Sequence, residues 1–104
     1  MVHIKLVDKI VLDEAYSYLQ DPEAGGMDLF IGSVRNHALG KDVVKLEFEA
    51  YEPMAISEME KLAQRAIEKW PLKKVLIIHA LGEKQIGGPV VVIGTSSAHR
   101  KDAF

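Results

Sequence analysis

The stretch that decides the fold runs from residue 53 to residue 80: PMAISEMEKLAQRAIEKWPLKKVLIIHA. Ile56, Met59, Leu62, Ala63, Ala66, Ile67 and Trp70 recur at spacings of three and four, which predicts an amphipathic helix. Pro53 suits its first turn, where a missing N–H costs little. Pro71 ends it, because proline can neither donate the helical hydrogen bond nor fit the preceding turn. Val75 to Ala80 then reads as a buried strand. The stripe of Met54, Met59 and Trp70 is read as helix core.

Working outward toward the N-terminus, Val43 to Tyr51 alternates, with Val44, Leu46, Phe48 and Ala50 set against Lys45, Glu47, Glu49 and Tyr51. Period two predicts a strand with one wet face. Met27 to Arg35, with Leu29, Phe30, Ile31 and Val34, reads as a mostly buried strand. The two are expected to form a hairpin across the loop Asn36 to Asp42. Gly25-Gly26 is a turn. Val2 to Val11 reads as a strand, and Asp13 as the N-cap of a helix carrying Ala15, Tyr16 and Leu19. That helix must stop near Gln20, since Asp21 precedes Pro22.

Toward the C-terminus, Leu81 to Gly88 is expected to be a loop. Pro89 to Thr95 is a strand rich in β-branched residues. Ser96 or Ser97 would cap a last helix beginning Ala98-His99-Arg100. The order β-α-β-β-α-β-β-α predicts an α+β fold, a mixed or antiparallel sheet covered by helices. The last helix has at most two turns and no stop signal before Phe104.

Composition narrows the function classes. A chain of 104 residues, 48% apolar and 27% charged with mean hydropathy +0.03, is one small globular domain rather than a disordered segment. Thirteen basic and fifteen acidic residues leave a net charge of −2, which supplies no general attraction to nucleic acid or an anionic membrane. The longest apolar run, Pro89 to Ile93, is too short to span a bilayer. With no signal segment at the N-terminus, the expected compartment is the cytoplasm. The absence of cysteine excludes disulfides, thiolate catalysis and cysteine zinc sites. His3, His37, His79 and His99 show no metal-ligand spacing.

Three places gather polar residues. Ser33-Val34-Arg35-Asn36-His37 puts an arginine where a strand enters a loop, a place from which a guanidinium grips phosphate or carboxylate through paired hydrogen bonds. Thr95-Ser96-Ser97-Ala98-His99-Arg100-Lys101 puts hydroxyls and cations at a helix start, where free N–H groups attract anions. Glu47 and Glu49 share a wet strand face, and a solvated pair explains them better than catalysis does.

Several strings together resemble the large, catalytic subunit of molybdopterin synthase. They are Val34-Arg35-Asn36-His37 with Gly40, Leu46 to Met54 with its Tyr-Glu-Pro-Met, Lys69-Trp70-Pro71-Leu72, His79-Ala80-Leu81-Gly82, and Thr95 to Arg100 with its Ser-Ala-His-Arg. The resemblance covers the chain from about Gly25 to Phe104. It implies an α/β-hammerhead fold and a sulfurtransferase with no bound cofactor and no metal. A small ubiquitin-like sulfur-carrier subunit would insert a C-terminal Gly-Gly thiocarboxylate, and two sulfurs would pass to cyclic pyranopterin monophosphate to give molybdopterin. The large subunits would form a homodimer at the core of a heterotetramer. Carried over by position, Arg35, His99 and Arg100 would hold the pterin substrate, and Ser33 and Val34 would line its pocket. The family's catalytic lysines match no position up to Phe104, so the 104 residues read as the front part of the family domain. A truncated or degenerate non-catalytic binding or scaffold subunit of the same fold is the second reading.

Overall fold

A computed structural model describes residues 1–33, 37–38, 41–42, 45–48, 52–85 and 87–104, with the backbone alone described at 37–38, 41–42, 45–48, 52 and 83–85. The chain runs β1 (Val2–Val7), α1 (Leu12–Leu19), β2 (Gly26–Ser33), β3 (His37–Ala38), β4 (Lys41–Asp42), β5 (Lys45–Phe48), α2 (Glu52–Lys69), β6 (Leu72–Ala80), β7 (Gly82–Gln85), β8 (Pro89–Ser97) and α3 (Arg100–Ala103). A mixed four-stranded sheet has the order β1-β6-β8-β2, with β1 parallel to β6 and the other pairs antiparallel. Two short ribbons, β3–β4 and β5–β7, stand apart from it. The fold is α+β, as the sequence predicts.

Each face of the sheet carries its own core because strand side chains alternate. On one face Leu76, Ile78, Ala80 and Val92 pack with Ile10 and with Ala15 and Leu19 of α1. On the other, Val75 and Ile77 pack with Leu72 and Ala63 of α2, flanked by Val2, Ile4, Met59 and Ile67. Full burial of such aliphatic side chains is worth about 1.5–3 kcal/mol each. Gly94 lets α1 approach: a Cβ there would lie 2.3 Å from Leu19 Cδ1 and 3.1 Å from Leu29 Cδ1.

Among the described residues the expected hairpin is not formed. β2 pairs with β8, with Phe30 opposite Ile93, and β5 pairs with β7, with Leu46 opposite Lys84. The supposed loop 81–88 thus contains a strand. Loop closure costs grow only slowly with length, so the β-branched run of β8 captures β2 from far along the chain.

Nor is β2 mostly buried. It is an edge strand whose Phe30 is 58% and Ile31 39% exposed. Helix α2 keeps its predicted place, but Met54, Leu62 and Trp70 are exposed rather than core; only part of its apolar stripe meets the sheet. The N-cap of α1 is Val11 without a side-chain bond, and Asp13 lies in the first turn instead, where its charge favours the helix dipole. Ser96 and Ser97 end β8, buried, and do not cap α3, whose N-cap is His99. Helix α3 is a single turn.

Candidate functional site

The end of β8 turns sharply into α3, and two glycines make the turn possible. A Cβ on Gly26 would lie 2.6 Å from Arg100 Cα, and one on Gly25 2.5 Å from the Ala98 carbonyl oxygen. Both are distances that a side chain never tolerates, so the Gly-Gly pair lets α3 press directly on the start of β2. The Gly25 N–H donates to Ser97 O at 2.9 Å, the Asp102 N–H to His99 O at 3.1 Å and the Phe104 N–H to Arg100 O at 3.1 Å. The Thr95 hydroxyl donates to Ala103 O at 2.6 Å. The turn is thereby fixed at both ends.

His99, Arg100 and Lys101 are exposed on this fixed turn. Among the described residues none of the three side chains has an ionic partner. Charge is thus held ready on a rigid support, the arrangement that a charge-assisted contact to an anion requires. Beside it, Gln20, Asp21, Pro22, Ala24, Gly25, Gly26 and Met27 line an open groove of about 450 Å³. The sequence flags Gly25-Gly26 only as a turn; its close contact with Arg100 depends on a pairing that local pattern does not reveal.

Ser33 is exposed at the far end of β2. Seven strand steps of ~3.3 Å separate it from Gly26, roughly 23 Å. Within one chain, then, the structure does not bring Ser33 together with His99 and Arg100. Val34 and Arg35 lie outside the described residues, as does Glu49. Glu47 sits in β5 opposite Glu83. No group of three His, Cys, Asp or Glu able to hold a metal occurs among the described residues. No helix among them is long and apolar enough to cross a membrane.

A second groove, about 750 Å³, lies between the open edge of β1 and the polar face of α2, lined by Ser57, Glu60, Lys61, Gln64 and Arg65 among others. It shares no residue with the predicted site. Near it, His3 stacks on Tyr18 at 4.8 Å between ring centroids. The Tyr18 hydroxyl is buried with no hydrogen-bond partner among the described residues, and burial holds its pKa above the ordinary 10.0.

Comparison with known proteins places this geometry. Residues 7–104 match the family described as MoaE protein. The chain belongs to the MoaE family. It is 40% identical over 103 residues to molybdopterin synthase catalytic subunit 1 of Mycobacterium tuberculosis, covering 98% of this chain and 70% of that one. It is 43% identical over 106 residues to the molybdopterin synthase catalytic subunit of Drosophila willistoni, covering 100% of this chain and only 28% of that one. Among solved structures, molybdopterin synthase from Staphylococcus aureus superposes with a TM-score of 0.88 at 33% identity, over 95% of this chain and 72% of that one. The chain therefore spans between about a quarter and three quarters of the length of these MoaE-type relatives.

Proposed function

We propose that this MoaE-family chain acts as the large subunit of a molybdopterin synthase in molybdenum cofactor biosynthesis. It would take sulfur from the C-terminal thiocarboxylate of a small ubiquitin-like subunit and pass it to cyclic pyranopterin monophosphate. The observation that carries the reading is the fixed turn that exposes His99 and Arg100 with no ionic partner among the described residues, set on a family whose relatives bear that name. An anionic pterin needs cations that are positioned before it arrives, because ordering flexible side chains on binding costs free energy. Arg100 would grip an oxyanion of the substrate through paired N–H donors, and His99 would add a ring N–H. Arg35, beyond the end of β2, would hold a second anionic or polar edge, with Ser33 and Val34 lining the pocket. Charge appearing as the cyclic phosphate opens would be offset by the same groups.

Ser33 and Arg100 stand too far apart to hold one pterin within a single chain. The reading therefore needs a second copy, with the Ser33 end of one chain set against the Arg100 end of the other. Purified chain, thiocarboxylated small subunit and the cyclic precursor test the activity: molybdopterin should form, and Arg100→Ala should lower kcat/KM at least tenfold. Bound small subunit with no product would overturn sulfur transfer and leave a binding or scaffold subunit.

A further inference from the structure

Helix α3 is too short to hold itself in place. It has four residues and no side-chain bond at its N-cap. A first helical turn fixes several dihedrals for very few hydrogen bonds, so it stands only on outside support. Strand β8 supplies that support. Thr95 lies opposite Val75, on the side of the sheet that packs toward α2. Its hydroxyl donates to Ala103 O at 2.6 Å, across eight residues of chain, and Ala103 is itself only 4% exposed. Ser97, two residues on, faces the same side. Its Oγ accepts from the His99 N–H at 3.4 Å and donates to Pro71 O at 3.3 Å. The start of the turn is tied by Ser97 and its end by Thr95. Arg100 lies between the two ties, with its backbone pressed on Gly26.

We propose that Thr95 is a positioning residue for Arg100: its hydroxyl, through the Ala103 carbonyl, clamps α3 to the sheet and so holds Arg100 where its guanidinium meets an anionic substrate. The proposal rests on the reading above that Arg100 grips the pterin.

The residue type fits the task. Threonine is branched at Cβ, so few rotamers are open to its hydroxyl, and a strand accommodates it well. Serine would offer the same bond from a looser side chain. Valine would keep the shape and leave the Ala103 carbonyl without this donor. Once the clamp is gone, α3 frays from its C-terminal end. Arg100 must then be ordered each time substrate binds, and that cost appears as lost affinity. His99 keeps its own tie through Ser97. Ser96 supplies an internal control. It lies opposite Met27, on the α1 side, fully buried and with no hydrogen-bond partner among the described residues.

Calorimetric titration with cyclic pyranopterin monophosphate tests the proposal. Thr95→Val should weaken binding about fivefold to tenfold, the worth of one hydrogen bond. Thr95→Ser should recover most of the loss, and Ser96→Ala should bind like the unaltered chain. With Arg100→Ala already in place, Thr95→Val should cause no further loss, because a positioning residue acts only through the group it positions. Amide hydrogen exchange without ligand gives a second readout. The Phe104 N–H, bonded to Arg100 O, should exchange faster in Thr95→Val and not in Ser96→Ala. Undiminished binding by Thr95→Val, a Thr95→Ser variant as weak as Thr95→Val, or an equal loss with and without Arg100 would overturn the proposal. If Arg100→Ala weakens binding and Thr95→Val does not, the positioning role alone is refuted. If Arg100→Ala binds as well as the unaltered chain, the substrate grip is refuted and the positioning role falls with it.

Discussion

Ile77 and Ile93 are opposite each other on neighbouring strands and face the same side of the sheet, yet one is 7% exposed and the other 42%. The residue type is the same, the strand environment is the same, and only the cover differs. Helix α2 roofs β1 and β6, while α3, a single turn, reaches only the Thr95 end of β8 and the Gly26 end of β2. Half of this sheet face is a finished core, and the other half is bare around Phe30 and Ile93. Burial here is a property of the assembly of elements, not of the strand sequence. The bare half also lies between the two groups of residues on which the proposed substrate site would draw.

The same substitution on the covered and the bare half should have very different costs. Ile77→Ala should cost about 2–5 kcal/mol by removing packed methylenes and leaving a cavity. Ile93→Ala should cost less than about 1 kcal/mol in the isolated chain, since exposed side chains have little packing to lose. Urea denaturation at low protein concentration reads both, and equal losses would mean that the bare half is covered within one chain.

Next in size are the glycines. Gly94→Ala should destabilise by about 1–3 kcal/mol through overpacking against Leu19. Gly26→Ala should cost a similar ~1–3 kcal/mol and in addition weaken pterin binding, because it pushes against the backbone of Arg100. Gly94→Ala at the other face should leave binding intact, and a calorimetric titration of both variants separates the two effects.

A smaller effect is expected at Tyr18. Its hydroxyl is buried with no hydrogen-bond partner among the described residues, so Tyr18→Phe should be neutral or stabilising by up to about 1 kcal/mol at pH 7. Burial raises its folded pKa above 10.0. Below pH 10 the phenol is protonated in both states and contributes no pH dependence. Above it the unfolded chain loses the proton first, so stability falls as pH rises. Tyr18→Phe should flatten that alkaline slope, and melting temperatures from pH 8 to 11 check it. Smallest of all, Lys5→Ala removes an exposed pair with Glu14 at 3.3 Å and should change stability by no more than ~0.5 kcal/mol.

Periodicity made some elements legible. The helix from Glu52 to Lys69 and the strand from Leu72 to Ala80 stand within three residues of where their spacing puts them. Pairing was not legible: alternation in 43–51 predicts a strand but carries no information on whether its neighbour is β2 or β7. Exposure was not legible either, since an apolar stripe on α2 does not say that Met54 and Trp70 overhang the sheet. Caps failed at Asp13 and Ser97 because a suitable side chain one or two residues from a helix start satisfies the same pattern. For the proposed site, residue types point to an anion grip at His99–Arg100 and after Ser33. Their separation along β2 appears only once β2 is seen to run the full length of β8.

The central claim is that one substrate site is made from both ends of β2, contributed by two chains. Mixing Arg35→Ala with Arg100→Ala, unfolding and refolding together, tests it directly. Half of the dimers should be mixed, and each mixed dimer should hold one intact site of its two, so about a quarter of the sites should return. Titration with cyclic pyranopterin monophosphate should recover that fraction from two variants that bind poorly alone. A mixture that binds no better than either variant would contradict the account.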